Sequence, residues 1–190
     1  MLRIRHIHVV IGGFTQRRDR MHGMMRLSEK LHDQIKTGPD VRIWYCRWCE
    51  PWKRYAEYVW ILGSIVDEVE VSIYAYSWGA GWGAMQLAEH LGRAGISVKI
   101  MVLSDPVYRH PWPILRFAAL LPGKRIKIPP KVRQVFSYYQ RVNKPQGHEL
   151  VTTSQRTLLH PPVELKCTHE KMDDTKYFHE MCLKQAGICA

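Results

Sequence analysis

Residues 70–84 read EVSIYAYSWGAGWGA, and this stretch decides the fold. Its first half is apolar and β-branched and predicts a buried strand, whereas its second half begins a helix. Ser77 stands between the two, with Ala75 and Gly79 two positions away on either side. A serine on a strained strand-to-helix turn needs small neighbours, because the strand and the helix approach closely there. The pattern A-x-S-x-G therefore predicts a nucleophile elbow, and the alternative is a serine that merely caps the helix.

Strand-like and helix-like segments alternate on both sides of this stretch. The predicted strands are residues 4–11, 41–45, 69–76, 98–104, 132–139 and 163–167. The predicted helices are residues 17–35, 51–62, 81–93 and 172–185. Such alternation with short connections is typical of a parallel sheet with helices on both faces. The sequence predicts a single α/β domain over residues 1–190, a three-layer α/β/α sandwich with a mostly parallel sheet of about six strands.

Composition excludes several classes of protein. The chain has 190 residues, 46% hydrophobic and 24% charged, which is ordinary globular usage and unlike a coiled coil, a collagen-like rod or a disordered tail. Uncharged runs are too short or too polar for spanning helices. The basic start lacks a small-residue cleavage site, so no secretory signal is expected. The five cysteines are an odd number in a chain that does not need disulfides, which favours reduced thiols and a cytoplasmic location.

The basic charge is concentrated in one part of the chain. The formal net charge is +11, and residues 106–148 hold nine Lys or Arg and no acid. Such an excess favours anionic neighbours, and an anionic membrane surface is one candidate. Nucleic acid is not expected, because no helix-turn-helix, zinc finger or aromatic strand platform accompanies the charge. Residues 106–131 include an apolar helix candidate that predicts either a cap over a site or a helix packed on the sheet.

Two further candidate groups follow predicted strands. Asp105 comes directly after the strand at 98–104, and His169 follows the one at 163–167. The carboxyl ends of parallel strands lie on one edge of the sheet, where ligands bind. We therefore expect Ser77, Asp105 and His169 to meet. The alternatives are that Asp105 is a turn residue, and that another histidine takes the place of His169; His148 and His160 are the rivals.

The chain order Ser, Asp, His around an A-x-S-x-G turn resembles the α/β-hydrolase family. The resemblance covers residues 3–183, although the family's first two strands are missing, and it implies the strand order 2-1-3-4-5-6. Gly12-Gly13-Phe14 resembles the family's oxyanion loop, so the amide of Gly13 or Phe14 would join that of Trp78 as a donor to an oxyanion. Residues 169–174 resemble the His-plus-acidic-helix ending of thioesterase-like and lipase-like members.

This resemblance implies a serine hydrolase of esters or thioesters. Ser77 would be the nucleophile, His169 the general base and Asp105 the group that orients it, with no metal or organic cofactor. The expected substrate is a small-molecule or lipid-like acyl ester, and Trp82 and Trp112 are candidate contacts for its apolar part. The alternatives are a catalytically silent binding protein with a hydrolase fold, or a basic adaptor for anionic membrane or nucleic acid.

Cys46-Arg-Trp-Cys49 is a C-x-x-C motif that the hydrolase interpretation does not use. The motif occurs in redox pairs and in half of many zinc sites. The remaining cysteines do not supply a second half for such a zinc site, and a thioredoxin-like pair would open a helix near the start of the chain. We therefore interpret Cys46 and Cys49 as two partly buried thiols at the end of a strand.

Overall fold

The computed structural model describes residues 6–16, 19–35, 40–63, 69–110 and 124–188. The strands are β1 (His6–Ile11), β2 (Val41–Cys46), β3 (Glu70–Tyr76), β4 (Val98–Ser104), β5 (Arg125–Lys127), β6 (Val132–Tyr139), β7 (Glu149–Val151), β8 (Leu158–Leu159) and β9 (Val163–Glu164). The α-helices are α1 (Gly23–Gln34), α2 (Trp52–Gly63), α3 (Ala84–Arg93) and α4 (Lys176–Gln185). A π-helical turn, Gly79–Gly83, precedes α3, and a 3-10 helix, His169–Asp174, precedes α4.

The main sheet is parallel and follows the order β2-β1-β3-β4-β6-β8, with β9 also pairing β6. Two clusters of buried side chains cover its two faces. One cluster joins the sheet to α2 and α3, and the other joins it to α1 and α4. Strand β1 supplies Ile7, Val9 and Ile11 to the first cluster and Val10 to the second, as the alternation of side chains along a strand requires. The predicted α/β fold with a mostly parallel sheet is confirmed.

The first helix begins later than predicted. Its prediction started at residue 17, whereas α1 starts at Gly23, because His22 is extended and its Nδ1 accepts a hydrogen bond from the Met25 amide at 3.4 Å. A Cβ at position 23 would lie 2.4 Å from the Asp173 carbonyl oxygen. The helix therefore starts at Gly23, because only a residue without a side chain fits where the chain passes directly over the 3-10 helix.

The second half of the chain departs most from the prediction. The strand expected at residues 163–167 contains only Val163–Glu164, and the unexpected β8 shares the same sheet edge. The helix expected at 172–185 starts at Lys176 instead, because the Thr175 hydroxyl accepts a hydrogen bond from the Phe178 amide and caps it. A separate parallel pair, β5 and β7, was not predicted.

Half of the proposed cap at residues 106–131 falls outside the described residues, since 111–123 are not among them. Its final part contains β5, which pairs with β7, and Ile126 and Ile128 there are buried in the same cluster as side chains of the main sheet. Among the described residues, no helix combines the length and the apolar character that crossing a membrane demands.

Candidate active site

Ser77 lies directly after β3 in a backbone conformation that serine seldom adopts. Its φ is +55°, in the left-handed region, which costs a non-glycine residue about 1–3 kcal/mol. Three backbone hydrogen bonds hold it there. The Ser77 amide donates to the Ser104 carbonyl at 3.0 Å, and the Ser77 carbonyl accepts from the amides of Gly81 at 2.8 Å and Val107 at 3.1 Å. The turn is thus fixed by β4 and by the segment after it, as well as by its own helix.

The glycines after Ser77 are required by close backbone contacts. A Cβ at Gly79 would lie 2.4 Å from the Gly12 carbonyl oxygen, and one at Gly81 would lie 1.9 Å from the Val107 carbonyl oxygen. Neither backbone oxygen can move away as a flexible side chain would. The need for small residues, inferred at Gly79 from the A-x-S-x-G pattern, therefore has a direct steric cause and extends to Gly81.

A continuous chain of hydrogen bonds joins the three predicted side chains. The distance from Ser77 Oγ to His169 Nε2 is 3.0 Å, and that from His169 Nδ1 to Asp105 Oδ2 is 2.6 Å. Their relative exposures are 5% for Ser77, 7% for His169 and 0% for Asp105. The serine hydroxyl thus lies beside an imidazole nitrogen that can accept its proton, and the other nitrogen lies against a buried carboxylate. This arrangement can perform general base catalysis on the Ser77 hydroxyl.

Asp105 is held as firmly as Ser77. Its φ is +43°, and its amide donates to the Tyr138 carbonyl at 2.7 Å. Oδ1 accepts hydrogen bonds from the amides of Gly147 at 2.7 Å and Gln140 at 3.3 Å, and Oδ2 accepts a third from Gln140 Nε2 at 3.1 Å. These donors give both oxygens of the completely buried side chain hydrogen-bond partners, which offsets the cost of removing them from water.

His169 is oriented through its backbone, at the first residue of the 3-10 helix. Its amide donates to Asn143 Oδ1 at 2.7 Å, and its carbonyl accepts from the Tyr76 hydroxyl at 2.8 Å. The ring of Tyr76 also lies 5.0 Å from the imidazole, measured between centroids. Burial raises the pKa of Tyr76, so its hydroxyl remains a donor at all ordinary pH values.

The rival histidines have other partners. His148 Nδ1 accepts a hydrogen bond from the Tyr108 amide at 3.1 Å, and His160 Nε2 lies 3.3 Å from Gln134 Oε1. Neither bond involves Ser77 or Asp105. Among the three histidines weighed from the sequence, His169 is the one that the fold brings to the serine.

The expected oxyanion loop borders the serine, but one of its amides is already engaged. A Cβ at Gly13 would lie 3.1 Å from the Ser77 Cβ, so the loop passes close to the serine. The Gly13 amide donates to Gln16 Oε1 at 2.9 Å, which gives it an acceptor within the protein. Of the two predicted loop donors, the geometry favours Phe14. Trp78 lies in the first helical turn, where amides have no intrahelical acceptor.

Gln16 belongs to a polar network that sequence reasoning missed. Its Nε2 donates to Asp173 Oδ2 at 2.6 Å, and the same oxygen accepts from the Met24 amide at 3.1 Å. Burial raises the pKa of Asp173 in spite of these bonds, which act in the opposite direction. The network links the oxyanion loop to the 3-10 helix that carries His169. No local pattern marks it, because its members are distant in sequence.

Several aromatic side chains pack together beside the serine turn. The ring centroid of Trp78 lies 4.3 Å from that of Phe14 and 5.1 Å from that of Trp48. Trp82, predicted as a substrate contact, lies half-buried with its ring 5.0 Å from the guanidinium carbon of Arg109. The other predicted contact, Trp112, lies outside the described residues. Arg109 was not predicted as a site residue.

No disulfide joins cysteines 46, 49, 167 and 182 in the described part of the chain. Cys46 lies at the end of β2, as expected, but the two thiols are not both partly buried: Cys46 is completely buried and Cys49 is exposed. Within the described residues, no group of three or more His, Cys, Asp or Glu side chains is arranged to hold a metal ion.

The fold and this site define an α/β protein with a buried Ser–His–Asp hydrogen-bond chain at the carboxyl edge of a parallel sheet. No protein-family model matches the chain, and no curated protein matches it in sequence. Its chemistry is therefore inferred from its own geometry.

Proposed function

We propose that this chain is a serine hydrolase of the α/β-hydrolase family that cleaves a carboxylic ester or thioester through an acyl-enzyme. The observation that carries the proposal is the hydrogen-bond chain from Ser77 Oγ through His169 to Asp105, on a serine held at positive φ. A serine that only capped a helix would need neither the imidazole nor the strained backbone.

Acylation follows from the positions of these groups. Ser77 Oγ attacks the carbonyl carbon of the substrate, while His169 Nε2, 3.0 Å away, takes the hydroxyl proton. Asp105 keeps the other proton on Nδ1 and stabilises the imidazolium. The tetrahedral intermediate collapses when His169 returns the proton to the leaving alcohol or thiol, which leaves an ester on Ser77.

Deacylation repeats these steps with water. His169 removes a proton from a water molecule that attacks the acyl-enzyme, and then returns the proton to Ser77 Oγ as the carboxylic acid leaves. In both half-reactions the negative charge develops on the carbonyl oxygen. The amides of Trp78 and Phe14 are the proposed donors to that oxygen, and such donors contribute about 3–4 kcal/mol each in related chemistry.

The proposed substrate is a small or lipid-like acyl ester. Phe14, Trp48 and Trp78 supply an apolar aromatic surface beside Ser77, which suits the acyl chain or an apolar leaving group. A cytoplasmic location, expected from the odd number of cysteines, remains part of the proposal.

Covalent labelling with a fluorophosphonate probe tests this function. Ser77 Oγ would form a bond to phosphorus as fluoride leaves, and mass spectrometry of the digested adduct would locate it. Ser77→Ala and His169→Ala are both expected to abolish labelling. Ser104→Ala is the matched control, because Ser104 is a buried serine at the same sheet edge whose hydroxyl has no partner among the described residues. It should label as wild type does.

The result separates the proposal from its alternatives. Labelling at Ser77 that depends on His169 supports an activated serine. A folded wild type that the probe leaves unlabelled would favour a binding protein on a hydrolase scaffold. Labelling at Ser77 that persists in His169→Ala would contradict the role of the imidazole.

A further inference from the structure

Arg109 is surrounded by aromatic rings. Its guanidinium carbon lies 4.7 Å from the ring centroid of Trp48, 5.6 Å from that of Trp78 and 5.0 Å from that of Trp82. All three distances are within the range of cation–π attraction. The rings hold a rather long and flexible side chain in one place, so the direction of its N–H groups is determined before any ligand arrives.

This aromatic cluster borders the serine turn. Trp78 directly follows Ser77, and its ring contacts Phe14 of the oxyanion loop. The chain segment that carries Arg109 is attached to the same turn, since the Val107 amide donates to the Ser77 carbonyl at 3.1 Å. The guanidinium therefore lies beside the reaction centre, on the same edge of the sheet.

The guanidinium has no anionic partner in the described part of the chain. Its Nε is buried, and no described residue accepts a hydrogen bond from it. The nearest acid along the sequence, Asp105, is already engaged by His169, Gln140 and Gly147. A buried donor without an acceptor is costly, and few groups in native proteins are left so.

We propose that Arg109 binds a free carboxylate on the substrate, so that the ester or thioester cleaved at Ser77 carries a second, anionic end. This inference rests on the proposed hydrolase function. Three indole rings lie within cation–π range of the guanidinium, and its Nε has no acceptor among the described residues. A planar carboxylate fits the N–H edge of a guanidinium with two parallel hydrogen bonds.

The surroundings of the site favour such a substrate over a purely apolar one. Residues 106–148 contain no acid that would repel it, and the formal net charge of +11 attracts anions in general. An apolar acyl chain would pack on the indoles but would leave Nε of Arg109 without an acceptor. Half-esters of dicarboxylic acids meet both requirements, because they join a scissile ester to a carboxylate by a short apolar spacer.

The test compares two esters of equal length, p-nitrophenyl hydrogen glutarate and p-nitrophenyl valerate. The measured quantity is the ratio of their kcat/KM values, glutarate over valerate, in wild type, Arg109→Gln and Arg109→Lys. We expect Arg109→Gln to lower the ratio about 10- to 100-fold, which is the usual effect of one hydrogen-bonded charge. The ratio for Arg109→Lys should lie between those of wild type and Arg109→Gln, because lysine keeps the charge but lacks the paired N–H donors of the guanidinium.

Arg93→Gln is the matched control for charge. Arg93 is an exposed arginine in the last turn of α3 and pairs with Glu89, so the substitution removes the same unit of charge away from the cluster. It should leave the ratio unchanged. A ratio that Arg109→Gln does not alter, or that Arg93→Gln alters equally, would overturn the inference while leaving the hydrolase intact.

A binding measurement makes the inference independent of turnover. Monomethyl glutarate is titrated into Ser77→Ala with tryptophan fluorescence as the signal, since three indoles surround the guanidinium. Saturable quenching that disappears in Ser77→Ala/Arg109→Gln supports the carboxylate site, even if neither ester is hydrolysed and the proposed function fails. Quenching unaffected by the second substitution, or tighter binding of methyl phosphate than of monomethyl glutarate, would overturn the assignment.

Discussion

Replacing Asp105 with asparagine should separate the chemical role of this residue from its structural role. The amide has the shape of the carboxylate but turns one oxygen into an NH₂ group. If the NH₂ group took the position of Oδ1, it would point at the backbone amides of Gly147 and Gln140, and neither amide can accept a hydrogen bond. If the NH₂ group took the position of Oδ2, it would point at His169 Nδ1, which can accept a hydrogen bond once the imidazole changes tautomer. The second orientation is therefore expected.

The consequences for activity and stability differ in size. The new tautomer carries its proton on Nε2, which then cannot remove the Ser77 proton, and in comparable triads this lowers turnover about 10⁴-fold. Stability should fall by about 1–3 kcal/mol, because the hydrogen bonds to the former carboxylate become neutral but no backbone amide loses its acceptor. Gln140 Nε2, the other donor to Oδ2, keeps the carbonyls of Asn143 and Pro145 at 2.9 Å.

The assay follows the rate of fluorophosphonate labelling in Asp105→Asn and its free energy of unfolding in urea. Glu170→Gln is the control, because Glu170 adjoins His169 but is exposed, and its carboxylate accepts hydrogen bonds from the side-chain amide of Asn143 rather than from the imidazole. It should label within a few-fold of wild type. Labelling of Asp105→Asn at the wild-type rate would refute the tautomer argument, and so would a loss of activity explained by unfolding alone.

Two further predictions concern stability. His8 is buried in β1, and its pKa is lowered to about 4, chiefly by burial and then by the charges of His6 and Lys99. In the unfolded chain the same imidazole takes up its proton near pH 6.5. The free energy of unfolding should therefore fall by about 3 kcal/mol as the pH falls from 7 to 4, because only the unfolded chain binds the proton readily over that range. His8→Gln should flatten that part of the pH profile in urea denaturation, and an unchanged slope would contradict the assignment. Gly81→Ala should lower Tm severely or prevent folding, because its Cβ would lie 1.9 Å from a backbone oxygen. Gly92→Ala is the control, because its Cβ would come no nearer than 3.6 Å to a lysine side chain, and its free energy of unfolding should rise by up to about 1 kcal/mol. Equal melting temperatures for the two glycine variants would contradict the steric argument.

The parts of the fold that were predictable have local causes. The alternation of strands and helices through β4 follows from periodicity within each segment, which depends on residues a few positions apart. The turn at Ser77 is local as well, since its small neighbours lie within the same short stretch. The short strands β8 and β9 have two residues each, too few to show any period, and their place in the sheet depends on pairing with β6.

The start of α1 and the network around Gln16 show why other features escaped prediction. Helical spacing alone extended the helix back to residue 17, whereas the cap at His22 and the contact of Gly23 with Asp173 decide where it begins. The bond between Gln16 and Asp173 joins residues at opposite ends of the chain. Gln16 belongs to no motif, and the acidic segment that holds Asp173 does not point to Gln16, so only their packing reveals that the two residues act together.

The sequence by itself determined the class of fold, the serine turn and the order in which Ser77, Asp105 and His169 occur. These features depend on backbone preference and on side-chain periodicity, which each segment encodes on its own. The tertiary structure decided which of ten histidines lies 3.0 Å from the serine, which loop amide has an internal acceptor, and where Arg109 lies. Those outcomes depend on contacts between distant segments, which arise only when the sheet and its helices pack together.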